Sequence, residues 1–324
     1  MPRTRTIVFS LALALLLYAT LVAGIDADRT LTAMRQLDLR WWLAILALSL
    51  FNYALRFGRW HGYLRWLGDR VGVLRDGFIY IAGFALTTTP GKAGEGMRSI
   101  YLARHGVPYA HSLAAFFAER FIDLLAIALL SLLVLIAFSD YVGWVLAPLV
   151  ALAALLVAIR QRRLLEYMQR RTAHPQGKFQ TLLHGVVSAW DRAFALLGLR
   201  PLYAGLGVGL IAWAAEGVSL YVVAHGLNIE LALPTAIGIY AVSMLVGALS
   251  FIPGGLGSTE AVMVLLLKLT GVDATTALAI TLIARVATLW FAVVLGLFCL
   301  AGIELDRRRA ATHSNDDASE RNPG

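Results

Sequence analysis

The 324-residue chain is 59% hydrophobic and 15% charged, where a soluble domain carries about 25% charged residues, and its mean hydropathy is +0.72. That excludes a soluble domain and points to a protein immersed in a bilayer. The net charge of +8 is carried between apolar runs, so it reads as topology and anionic-headgroup contact, not nucleic-acid binding. The single cysteine, Cys299, forms no internal disulfide, and no Cys/His spacing suits a metal.

In chain order, Ile7–Gly24 is the first apolar run, preceded by Arg3 and Arg5. It is longer than a signal-peptide core and lacks a small-residue cleavage site, so we read it as a retained helix. Trp41–Phe57 is the second span, followed by a basic loop with Arg56, Arg59, Arg65, Arg70 and Arg75. Phe78–Thr89 is a short apolar run ending at Pro90-Gly91. Ser112–Phe138 is a long span interrupted by Glu119, Arg120 and Asp123, and Val142–Ile159 is another. Arg160–Arg200 is the main basic loop. Leu202–Ala224 crosses again, Thr235–Ile252 runs into Pro253-Gly254-Gly255, Ser258–Thr270 is a short helix, and Ala274–Ile303 is the last span. The expected fold is an all-α polytopic membrane protein with about six full transmembrane helices and two re-entrant hairpins, eight helices by simple count. Residues 1–305 form the membrane domain, and residues 306–324 a disordered cytoplasmic tail.

The positive-inside rule places Arg160–Arg200 and Arg307–Arg309 in the cytoplasm, and the Lys/Arg-free connectors at Ser139–Tyr141 and His225–Leu233 outside. The hairpin around Pro90 is then entered from inside and the one around Pro253 from outside. The chain divides into two halves of opposite orientation, about 5–138 and 142–303. Glu95 precedes Arg120 by the same 25 residues that separate Glu260 from Arg285, and Tyr80 and Tyr240 precede the two prolines. Inverted repeats of this kind recur in transporters, with the site between broken helices at the midplane.

Backbone broken at membrane depth must face protein or a wet cavity, because unpaired amide groups in lipid cost several kcal/mol each. A helix N-terminus follows each break and favours an anion such as phosphate. The candidate substrate-binding residues are Pro90, Gly91, Lys92, Gly94, Glu95 and Arg98; Glu119, Arg120 and Asp123; and Pro253, Gly254, Gly255, Gly257, Glu260 and Arg285. Arg120 and Arg285 lie in apolar spans and need partners, for which Glu95 and Glu260 are the expected choices, with pairing within a repeat and pairing between repeats both open. Arg56 and Glu216 are further charges in or near spans. A structural lock between helices is the competing reading of these pairs. Gly91-Lys92 is not a phosphate-binding loop of the Walker type, since Ala93 follows and no glycine stands five residues before Gly91. Asp26-Ala27-Asp28 leaves open a membrane glycosyltransferase using a lipid-linked sugar, or its accessory subunit. No nucleophile with a placed base is readable, so no enzymatic activity, cofactor or metal is expected.

The series Pro90-Gly91-x-x-Gly94-Glu95…Arg98, Glu119-Arg120-x-x-Asp123 and Pro253-Gly254-Gly255-x-Gly257-x-x-Glu260…Arg285 resembles the flippase-like membrane region of lysylphosphatidylglycerol synthases, over roughly residues 5–303. The resemblance implies lipid translocation in an inner membrane and a role for the hairpin residues in it. In the full-length synthases a separate soluble domain makes the aminoacylated lipid. No such domain is expected here, and so no aminoacyl transfer or tRNA binding. Relatives also occur beside glycosyltransferases, so the implied partners are anionic membrane lipids, phospho-, glyco- or polyprenyl-linked, with a membrane-protein or glycosyltransferase partner open. A non-catalytic scaffold is the third reading.

Overall fold

The computed structural model describes residues 32, 34–87, 96–172 and 177–320, and among these every regular element is helical. The first span, Asp26-Ala27-Asp28 and the segment from Thr88 to Glu95 lie outside them. Helix α1 (Leu39–Trp66) is followed by α2 (Val73–Ala82), which tightens into a 3-10 turn at Gly83–Leu86. The short α3 (Arg98–Ala103) leads to α4 (Tyr109–Ser131), which also ends in a 3-10 segment, Leu132–Ile136. Helices α5 (Val142–Ile159), α6 (Arg162–Thr172) and α7 (Lys178–Leu196) follow. The second half comprises α8 (Leu199–Gly226), α9 (Leu233–Leu249), α10 (Ser258–Leu269) and α11 (Ala274–Arg285), then a π-helical turn at Val286–Trp290 and α12 (Phe291–Glu320).

Four stretches among the described residues are long and apolar enough to cross a bilayer: Leu39–Trp66, Ser139–Ile159, Leu199–Gly226 and Ala274–Asp306. Helix α4 has the length for a fifth crossing but carries Glu119, Arg120 and Asp123. Its buried face turns those charges into the protein, the arrangement that makes charge tolerable in a membrane helix.

Helices α1 and α8 form the spine, packed along their whole length. Asn52 Nδ2 donates to the Ala212 carbonyl at 2.8 Å, and Arg59 Nη1 to the Gly205 carbonyl at 3.4 Å. Seven residues forward on α1 is thus seven residues back on α8, so the two run antiparallel. Helix α2 and its 3-10 turn lie on α12; α9 lies on α4 and the Leu132–Ile136 segment. Both contacts are backbone-close at a glycine. A Cβ at Gly296 would strike the Ala85 backbone nitrogen, and one at Gly238 the Val134 backbone nitrogen.

Two sequence expectations are corrected. Helix α1 does not end at Phe57: it continues to Trp66, so Arg56 and Arg59 are buried helical residues and not part of a basic loop. They were misread because basic residues normally mark loops, whereas here carboxylates on α4 neutralise them. Arg160–Arg200 is not an open loop either: it folds into α6 and α7, and α7 buries Val187, Ala189, Ala193, Leu196 and Leu197, packing on α4. Its apolar residues recur with helical spacing beneath the many arginines. Helix α12 runs on past the last apolar run to Glu320.

Candidate functional site

Two buried polar clusters lie near the α1–α8 spine. In the first, α4 presents Glu119 and Asp123, both almost fully buried, one turn apart. Tyr80 of α2 donates to Glu119 Oε1 at 2.6 Å, and Arg98 of α3 to Glu119 Oε2 at 3.1 Å. Arg56 and Arg59 of α1 reach Asp123 at 3.1 and 2.5 Å and come within 3.8 and 3.7 Å of Glu119. Arg120 reaches Asp123 at 3.1 Å and Glu119 at 3.4 Å. Arg98 also lies over the Tyr80 ring at 4.0 Å. Four guanidinium groups from three helices thus converge on two carboxylates. Among the described residues the cluster holds two more guanidinium groups than carboxylates, and excess charge in a dry interior costs several kcal/mol per ion.

The second cluster is built on the break at Pro253–Gly255. Gly254, Gly255 and Gly257 have φ of 63°, 66° and 85°, left-handed backbone that glycine alone adopts cheaply. This turns the chain from α9 into α10 within a few residues. Glu260, in the first turn of α10, accepts from the Gly257 backbone N–H at 2.7 Å and from Arg285 Nε at 2.5 Å. Arg285 Nη2 donates to the Gly254 carbonyl at 2.8 Å. Glu260 and Arg285 therefore satisfy a donor and an acceptor exposed by the break, as lipid surroundings demand. Directly after Arg285 the helix widens into its π turn, and Tyr53 of α1 donates to the Thr288 carbonyl there at 2.6 Å. Single π turns inside α-helices concentrate at functional sites.

Between the clusters lies an internal cavity of about 50 Å³ that both halves line: Tyr53 and Arg56 from α1, Glu216 from α8, Tyr240 from α9, and Arg285 with Thr288. Glu216 is buried and accepts from Tyr240 Oη at 3.0 Å, a match to Tyr80 on Glu119 in the other half. A second cavity, of about 220 Å³, separates α4 from the Pro253 break. Arg120 and Asp123 line one side, and Gly254, Gly255 and Thr259 the other.

Glu260 pairs with Arg285, which settles for the second hairpin a pairing the sequence leaves open. Arg120 makes its contacts with Glu119 and Asp123; the expected partner Glu95, with Pro90, Gly91, Lys92 and Gly94, lies outside the described residues. Arg98, Glu119, Arg120 and Asp123 come together, as do Gly254, Gly257, Glu260 and Arg285. The α10 N-terminus, expected to hold a bound anion, already holds the carboxylate of Glu260. Arg59 and Tyr80 are absent from the expected site. A signal for Arg59 was available: Arg56 and Arg59 are three residues apart, Trp60 and Tyr63 continue the apolar pattern, and the first helix-ending glycine with positive φ is Gly68. Among the described residues, no three His, Cys, Asp or Glu side chains are placed to hold a metal ion.

Fold and site together define an all-α, multi-pass membrane protein with buried ion networks beside a helix break. The chain belongs to the family of the lysylphosphatidylglycerol synthase TM region, whose model matches residues 7–296. It is 27% identical over 325 residues to a UPF0104 membrane protein of Methanothermobacter thermautotrophicus, covering 92% of this chain and 95% of that one. It is 26% identical to the glycosyltransferase AglD of Haloferax volcanii, over 80% of this chain and 48% of that protein. It is also 26% identical to a phosphatidylglycerol lysyltransferase of Staphylococcus haemolyticus, over 90% of this chain and 33% of the enzyme. The likeness to these two enzymes thus covers a half or less of each.

Proposed function

We propose that this protein moves a phosphate-bearing lipid between the leaflets of the inner membrane and has no catalytic activity of its own. The observation that carries the proposal is the central cavity, which Arg56, Glu216 and Arg285 line beside the antiparallel α1–α8 pair. A lipid phosphate is drawn to the two guanidinium groups. Arg120, on the larger cavity against the Pro253 break, offers the next position for it. Glu260 holds Arg285 in place and keeps the helix terminus occupied until a phosphate competes for that arginine. The packing of α2 on α12 and of α9 on α4 fits an inverted repeat, in which each half gates one leaflet. Basic Arg160–Arg200 and Arg307–Arg309 would then lie in the cytoplasm, with the C-terminus.

The test is native mass spectrometry of the purified protein, comparing wild type with Arg56→Gln and Arg285→Gln. The reading expects a phosphate-bearing lipid on wild type and its loss from both variants while they remain folded. The same lipid in equal amount on all three would overturn the cavity assignment.

A glycosyltransferase accessory role draws support from the likeness to AglD. It predicts that Asp26→Asn and Asp28→Asn abolish function while Glu260→Gln is mild.

A further inference from the structure

Away from both clusters, a groove of about 840 Å³ runs between α2, the end of α3 and the middle of α12. Its two ends differ in chemistry. At one, Arg75 at the start of α2 and Arg104 and His105 just after α3 converge, all exposed. Burial, and then the neighbouring Arg75 and Arg104 charges, hold His105 below its ordinary pKa. Asp306 is the acidic residue on this rim, and Tyr101 ties the adjacent Glu304 back to the protein with a 3.0 Å hydrogen bond. The other walls are apolar and open outward: Leu74, Phe78 and Phe298 are 81%, 57% and 73% exposed. Gly302 lines the groove, and an added Cβ there would meet no atom within 4 Å.

We infer that this groove is a docking site for one anionic phospholipid, its phosphate on Arg75 and Arg104 and an acyl chain along Phe78 and Phe298. Arg75 and Arg104 offer charged N–H donors to a phosphate beside the carboxylates of Asp306 and Glu304. The apolar walls suit a chain that already lies in the bilayer, and basic groups at a membrane edge attract anionic lipid. The site is separate from the central cavity and does not depend on the transport reading. Its occupant would brace α2 against α12, the contact between the two halves.

Cys299, the only cysteine in the chain, lines the groove and reports on its occupancy. The full protein is placed in nanodiscs of phosphatidylcholine, with or without phosphatidylglycerol, and the rate of Cys299 modification by pyrenylmaleimide is followed. Phosphatidylglycerol should slow modification of wild type. The dose needed should rise about fivefold for each arginine removed in Arg75→Gln and Arg104→Gln. Gly302→Trp fills open space, so it folds, and it should lower the phosphatidylglycerol retained per protein through detergent washing. Equal modification rates in both nanodiscs, or unchanged retention in Gly302→Trp and in the double arginine variant, would overturn the assignment. Slowing by phosphatidylcholine alone, unaffected by the arginine variants, would show ordinary boundary lipid and overturn it too.

Discussion

Replacing Glu260 by glutamine removes the negative charge 2.5 Å from the buried Arg285 guanidinium while keeping shape and an acceptor for the Gly257 N–H. Removing one partner of a buried ion pair costs about 3–5 kcal/mol. Adding Arg285→Met removes the stranded cation. The remaining cost is then mainly the Gly254 carbonyl, which loses its 2.8 Å donor, about 1–3 kcal/mol. The double variant should therefore be more stable than Glu260→Gln alone by about 2 kcal/mol. That corresponds to a recovery on the order of 3 °C in melting temperature. Thermal unfolding of purified protein, read by tryptophan fluorescence, measures it. A double variant that melts at or below the single variant would refute the argument that Glu260 chiefly compensates Arg285. Recovery of stability without recovery of lipid binding would separate the functional role of the pair from a structural lock.

Further predictions follow the same geometry. Gly238→Ala drives a methyl group into the Val134 backbone and should cost about 1–3 kcal/mol by overpacking, seen as a lowered melting temperature. Asp273→Ala removes the N-cap that accepts from the Thr275 and Thr276 backbone N–H groups at 3.0 Å, at about 1 kcal/mol. Hydrogen bonding to Thr276, side chain first and then backbone, lowers the Asp273 pKa in the folded state. The cap therefore contributes fully above the unfolded carboxyl value and fades as pH falls through the folded one. The gap between wild type and Asp273→Ala should accordingly close on acidification, in melting curves taken from neutral to acid pH. In a cysteine-free background, single cysteines at Ser139, Gly177 and Asn228 should label from outside, inside and outside; any exchange of sides would break the proposed topology.

The sequence made the membrane class and the second hairpin legible because Pro253-Gly254-Gly255 and the Glu260–Arg285 spacing are local signals. Glycines that take positive φ and a carboxylate one turn into a helix need no tertiary information to recognise. What stayed hidden was long-range. Arg56 and Arg59 look like loop residues until α4 brings Asp123 alongside, 67 and 64 positions away. Tyr80 is an ordinary aromatic until Glu119 accepts its hydroxyl. The helix α7 was obscured by the arginines around it, because basic residues and apolar periodicity give opposite signals in a membrane protein. The close approaches at Gly238 and Gly296 depend on the packing of elements far apart in the chain, which no local pattern encodes.

The most direct test of the transport claim is a reconstituted translocation assay. Vesicles carrying a trace of fluorescent phosphatidylglycerol, phosphatidylethanolamine or polyprenyl phosphate in both leaflets are treated with an impermeant reductant, and loss of fluorescence reports lipid reaching the outer face. The account predicts that at least one of these phosphate-bearing lipids crosses faster with wild-type protein than in protein-free vesicles, and that Arg285→Gln and Glu216→Gln abolish the gain. No acceleration for any of them, with folded protein in the vesicles, would contradict it.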